Sequence, residues 1–241
     1  MSPHVPAPGS QTDSAYSHLK QLILTSRLEP GEELREAALT ESTGFGRSPV
    51  REALRRLVQE GFVDVRPRQG YRVSVVTLAG VRDLFEMRLL LEPAAVELAA
   101  ARASDEELAD LHTLAHETYV DGDRASYERF LQRNREFHVR IARVAGNERL
   151  ARTLQGLLEE MQRLFFVSLR GDDTAAELMH EHHELHDALR ARDPVRARQI
   201  VVDQIEASRA RVMAGLLATA DHSVRAAAGV VLADTTARRT V

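Results

Sequence analysis

Between Gly46 and Gly70 the chain offers a proline-led helix and then two short alternating runs, an order that few small folds accommodate. Ser48 supplies an N-cap oxygen, and Pro49 at the first helical position loses nothing by its missing N–H. Val50, Leu54, Leu57 and Val58 follow at i, i+4, i+7 and i+8, one apolar stripe that must face a core. Arg47, Arg51 and Arg55 recur every fourth residue away from that stripe, and Gly61 closes the helix. Phe62-Val-Asp-Val and Tyr71-Arg-Val-Ser-Val alternate on either side of Pro67-Arg-Gln-Gly, which predicts a two-stranded wing. A short helix with arginines at its N-terminus, followed by a basic hairpin, is the arrangement a winged helix-turn-helix presents to DNA.

The upstream residues complete that unit. Residues 1–13, with three prolines among small polar residues, read as a disordered arm. Tyr16, Leu19, Leu22 and Ile23 form a helical stripe ending near Arg27, and Pro30-Gly31 turns the chain. A second helix from Glu36 to Ser42 carries Leu39 inward, and Thr43-Gly44-Phe45 supplies the turn before the arginine helix. The net charge of −4 speaks against a generic nucleic-acid binder. Its distribution reverses the argument: from Arg47 to Arg72 there are seven arginines against three acids, a local +4. A basic patch on an acidic protein suits local phosphate contacts without global stickiness. Guanidinium groups pair bidentately with guanine O6 and N7, so Arg47 and Arg51 are candidates for base or phosphate contacts. Ser48 is placed either for a phosphate or as a plain N-cap.

Leu28-Glu-Pro-Gly31, Leu34-Arg-Glu36, Arg47-Ser-Pro-Val-Arg-Glu-Ala-Leu54, Arg55-Arg-Leu57, Glu60-Gly-Phe-Val63 and Gln69-Gly70 occur in this order over the first third of the chain. In this pattern residues 14–76 resemble the DNA-binding domain of the GntR family of bacterial transcription regulators. The resemblance implies that Arg47 and Arg51 carry operator recognition and that the wing tip at Gln69 and Gly70 enters the minor groove. Some members carry a further arginine in the second helix where this chain has Ala37, which implies a different operator sequence.

From Thr77, which can cap a new helix, to about Leu217 the pattern is helical throughout. Pro93 sits inside the first stripe and predicts a kink there. Ser104-Asp-Glu-Glu107 is a capping box opening a helix to about Val120. Asp121-Gly-Asp123 leads into a helix reaching Val144, and Gly146-Asn147 separates it from one running to about Leu169. Gly171-Asp-Asp precedes a helix to Arg192, and Asp193-Pro194 opens the last long one. The fold class is therefore mainly α, a winged helix-turn-helix followed by an all-helical bundle over residues 77–218. Residues 219–241 suit either a short final helix or a disordered tail.

Polar residues interrupt the apolar stripes: Arg88, Asn134 and His138, His182, and Gln204, on four helices. Each would be costly if buried alone, so together they predict a cavity lined for a polar ligand. Arg88 suits a carboxylate or phosphate, with an internal ion pair to Glu92, four residues on, as its competing role. Glu86-x-Arg88-x-x-Leu-Leu-Glu92, Asn134-x-x-Phe-His138, Gly146-Asn147 and Glu181-His182-x-x-Leu-x-x-Ala-Leu look like the FCD ligand-binding domain of the FadR-type GntR branch. Many such domains hold a divalent metal, Zn or Ni, through one Asp and three His beside a small carboxylic acid. By that resemblance Asn134, His138, His182 and Gln204 stand at the ligand positions, and the two amides weaken the set. His186, at i+4 from His182, is a substitute ligand, while His180 and His183 point away from the stripe.

Cys is absent, which excludes disulfides and thiolate metal sites. No apolar run is long enough for a membrane span and no signal-peptide pattern opens the chain, so a cytoplasmic location is expected. The reading is a metabolite-responsive transcription regulator, a repressor in the family's usual manner. It binds an inverted-repeat operator on double-stranded DNA as a homodimer and responds to a small carboxylate effector. One alternative is an acyl-coenzyme A-responsive regulator. A helical-bundle metalloenzyme is disfavoured, since Glu177-x-x-His180 stands alone where a di-iron bundle needs paired motifs.

Overall fold

Helix α1 (Gln11–Leu24) opens the computed structural model, which describes residues 11–115, 118–120, 122–168, 175–223 and 230–231. Residues 11–13, expected in a disordered arm, are thus helical, and residues 1–10 of that arm lie outside the described residues. Asp13 anchors the helix start, accepting from Arg56 at 2.8 Å. Strand β1 (Glu33–Leu34), α2 (Glu36–Thr43), α3 (Arg47–Gln59), β2 (Val63–Arg66) and β3 (Gly70–Val73) complete the first unit. Gly44 takes the left-handed conformation between α2 and α3, with φ 74°. The two-stranded wing is a three-stranded antiparallel sheet in the order β1-β3-β2, with Glu33 opposite Arg72 and Asp64 opposite Arg72 from the other side. Leu19, Ile23, Leu39, Val50, Leu54 and Leu57 meet Phe62, Val63 and Val73 in one core. Each fully buried leucine there contributes about 2 kcal/mol.

The start of α3 differs from expectation. Gly46 is the N-cap, no side chain caps the helix, and Pro49 is its third residue. Val50 is the first residue whose N–H finds an intrahelical carbonyl, that of Gly46. Proline at the third position therefore still costs no hydrogen bond, so its presence could not fix the first residue.

The second unit starts at Thr77, whose hydroxyl accepts from the Gly80 N–H at 3.0 Å and caps α4 (Leu78–Arg102). Pro93 is buried within α4 without ending it. Ser104 and Glu107 bond each other's backbone N–H at 3.1 and 2.9 Å, the capping box of α5 (Asp105–Ala115), which stops short of Val120. Asp123 caps α6 (Arg124–Val144), and α7 (Glu148–Ser168) follows Gly146 and Asn147. The Gly171 break lies outside the described residues. Helix α8 spans Ala175–Arg190, and Asp193 caps α9 (Pro194–Ser223), which continues past residue 218 into the expected tail. A two-residue strand β5 (Val230–Val231) pairs with β4 (Val76–Thr77). Ala95, Val139, Ala142, Ala151, Leu154 and Leu158 lock α4, α6 and α7 together. No helix of the described residues is long and apolar enough to cross a membrane.

Candidate functional site

Two places in the fold carry unspent chemistry. The first is the open end of α3 with the wing. Arg47 and Ser48 are exposed at the first two positions of α3, where backbone N–H groups lack helical partners and suit an anion. Ser48 caps nothing, so only the phosphate alternative keeps a role for its hydroxyl. Arg51 is held bidentately by Glu36 of α2, Nε to Oε1 at 3.0 Å and Nη2 to Oε2 at 2.8 Å. Hydrogen bonding to Arg51 holds the Glu36 carboxyl below the usual carboxylate range. Arg55 pairs with Glu52 at 3.5 Å.

Arg56 has a structural task, with its guanidinium 3.7 Å over the Tyr16 ring and bonded to Asp13. Arg72 pairs with Glu33 across the sheet at 3.4 Å. At the wing tip Arg66, Arg68 and Gln69 are all exposed, and the Gln69 N–H closes the turn on the Arg66 carbonyl. Gly70 has φ 102°, and a Cβ there would stand 3.0 Å from the Leu34 carbonyl. Glycine is thus required by the approach of β1. Arg66 and Arg68 entered the sequence reading only as charge, yet they are exposed cations at the wing tip.

The second place lies inside the helical unit. Arg88, Asn134, His138, His182 and Gln204, taken from α4, α6, α8 and α9, line one cavity with Leu158, Met161 and Phe165 of α7. Arg88 donates through Nε to Glu92 Oε1 at 2.5 Å, and both side chains are buried. Its two terminal nitrogens have no partner among the described residues. Glu92 Oε2 stands 3.4 Å from His138 Nδ1. Burial, reinforced by the Arg88 charge, pushes the His138 imidazole down to about 3. Burial also lowers the His182 imidazole well below its ordinary value, helped by His138 and His183. Both rings are therefore neutral at physiological pH, with centroids 5.3 Å apart.

Three further residues belong here that the sequence reading left out: Glu181, Ser208 and Arg211. Gln204, Ser208 and Arg211 fall at i, i+4 and i+7 of α9, a spacing that could have revealed them. Arg211 pairs with Glu181 at 3.3 Å. The cavity measures about 20 Å³, room for little more than a water. A more open groove of about 430 Å³ lies between α5, α6 and α7. Its arginines are already engaged: Arg133 with Glu136, Arg135 with Gln162, Arg140 with Asp110 and Arg143 with Gln155.

The donors do not fit a Zn or Ni site. Two neutral imidazoles and two neutral amides bring no charge, and the carboxylates beside them, Glu92 and Glu181, are paired with Arg88 and Arg211. Among the described residues no three His, Asp or Glu side chains form a group that could hold a metal ion. His186 is no substitute, because its Nε2 bonds the Leu108 carbonyl at 3.0 Å and its ring packs on His112. His183 is half-buried, and the His180 side chain lies outside the described residues.

Comparison with known proteins follows the same division. Residues 11–73 match the bacterial regulatory proteins of the gntR family, and residues 83–207 match the FCD domain. The chain is 31% identical to the HTH-type transcriptional repressor GlaR of Escherichia coli (strain K12), over 77% of this chain and 88% of that protein. It is 32% identical to the Nta operon transcriptional regulator of Aminobacter aminovorans, over 67% of this chain and 75% of that one. The solved structure of E. coli McbR/YncC is similar with a TM-score of 0.73 at 24% identity, covering 86% of this chain and 98% of its own, which shows the fold alone.

Proposed function

The chain belongs to the gntR family of bacterial regulatory proteins, and from that premise we propose that it represses transcription as an effector-controlled homodimer on an inverted-repeat operator. It is a DNA-binding transcription regulator and not an enzyme. In the proposed mechanism Arg47 and Arg51 reach base edges or phosphates, Ser48 meets a phosphate, and the wing tip at Gln69 and Gly70 enters the minor groove with Arg66 and Arg68 beside it. Glu36 holds the Arg51 fork in one orientation before DNA arrives and releases it to guanine. One α3 reads a short half-site, and two-fold symmetry doubles both contacts and specificity. Similarity to a protein named a repressor supports the direction of control.

The observation that carries the effector reading is the convergence of Arg88, Asn134, His138, His182 and Gln204 on one cavity. A small carboxylate enters as that cavity opens and takes the terminal nitrogens of Arg88, while Glu92 keeps the Nε edge. No metal takes part. An acyl-coenzyme A would demand expansion far beyond about 20 Å³, so the small acid is favoured. Binding shifts the protein between DNA-competent and DNA-incompetent states by no more than its differential affinity for them.

The test uses duplexes selected from a random library and a panel of small carboxylates added to the complex. Arg88→Met combined with Glu92→Met removes both charges together and is expected to retain the duplex yet ignore every acid that releases wild type. A double variant released by the same acid at the same concentration would overturn the pocket assignment.

A further inference from the structure

Gln204 Oε1 and Ser208 Oγ, on α9, are buried without a hydrogen-bond partner among the described residues, and both belong to residues lining the central cavity. Gln204 is 6% exposed and Ser208 4%. The amide orientation is fixed chemically. Gln204 Nε2 lies 2.5 Å from the Glu181 main-chain carbonyl, which can only accept, so the nitrogen must face it and the oxygen is left over. Unpaired buried polar groups are costly, so such a pair needs an account. Four residues apart on one helix, they form a short polar strip on the same lining as the Arg88 guanidinium.

We propose that this strip selects a hydroxy acid: the ligand's carboxylate binds Arg88, and its hydroxyl donates to Gln204 Oε1 while accepting from Ser208 Oγ. This deepens the carboxylate reading and rests on it. A hydroxyl can donate to Gln204 Oε1 and accept from Ser208 Oγ at once, whereas an ammonium can only donate. Arg211 is spent on Glu181, which leaves Arg88 as the carboxylate's partner. An acid without the hydroxyl leaves the Gln204 oxygen buried and unpaired. A site built to hydrogen-bond a hydroxyl discriminates against such an analogue by about tenfold or more.

The test is calorimetric titration of the full chain with three matched sets: propionate, lactate and alanine; succinate, malate and aspartate; glutarate, 2-hydroxyglutarate and glutamate. In at least one set the hydroxy acid is expected to bind about tenfold or more tighter than both others. Gln204→Met and Ser208→Ala should each bring that ratio close to one. Equal binding of plain and hydroxy acids, preference for an amino acid, or a ratio that survives both substitutions would overturn the inference. No binding by any acid of the panel would overturn the carboxylate reading itself, so the two failures are told apart.

Discussion

Arg88 and Glu92 carry opposite charges into the helical core, with side chains 6% and 4% exposed. Removing one partner strands the other, so Arg88→Met alone should cost about 3–5 kcal/mol in urea unfolding, and the Arg88→Met, Glu92→Met double variant far less. Equal losses in the two would mean that the pair is not the dominant interaction there. His138 gives the pH dependence. Its folded value is about 3 against 6.5 when unfolded, so acid favours the unfolded chain, which binds the proton. Stability is full above about 6.5 and lost as pH falls through the window toward 3, at about 1.4 kcal/mol per unit for each such histidine. Urea midpoints at pH 7 and 5 should show the loss, and His138→Gln should flatten part of it; an unchanged slope would contradict the neutral buried ring. The five pocket residues were legible because polar side chains interrupted apolar stripes. Ser208 and Arg211 were not singled out, since serine and arginine on a long helix ordinarily mark its solvent side. The Arg88 partner was legible only as one of two choices, because spacing cannot say whether a guanidinium meets its own helix or a ligand.

At the scale of elements, helix starts marked by side-chain chemistry were readable at Thr77, the Ser104–Glu107 box, Asp123 and Asp193, which cap as their sequences indicate, but not at Ser48, where Gly46 is the N-cap instead. Helix ends lacking a stop residue were not readable, as α5 shows, since Thr118 already lies outside a helix. Strand β1, two residues long, has no alternation to detect and exists because β3 offers it an edge. Packing between elements was invisible from sequence. At Gly215 a Cβ would collide with the Ser168 carbonyl at the end of α7. Gly215→Ala should therefore destabilise by about 1–3 kcal/mol although alanine favours helix; a stabilised variant in thermal unfolding would contradict that close approach. The wing makes its own prediction. If Arg66 and Arg68 meet phosphates, replacing each by Ala should lower the salt slope of DNA binding by about one. A slope unchanged in both variants would remove the wing from the interface.

For the whole molecule, the chain divides between Val76 and Thr77 into a unit with a basic face and a unit with a polar cavity. The composition of the first unit explains how an acidic protein addresses DNA: the arginines concentrate between residues 47 and 72 while the net charge stays at −4. Family membership was legible from motif order alone, since the arginine helix and wing need few residues in a strict sequence. The fit of a metal was not, because only the assembled pocket shows Glu92 already committed to a guanidinium. The measurement that tests the central claim most directly is selection of duplexes from a random library by wild type and by Arg51→Ala, with helical content followed by circular dichroism. Wild type should recover an inverted repeat, and the folded variant should lose it, retaining only weak, salt-sensitive binding. Recovery of the same repeat at the same affinity by Arg51→Ala would contradict the assignment of α3 as the element that reads the operator.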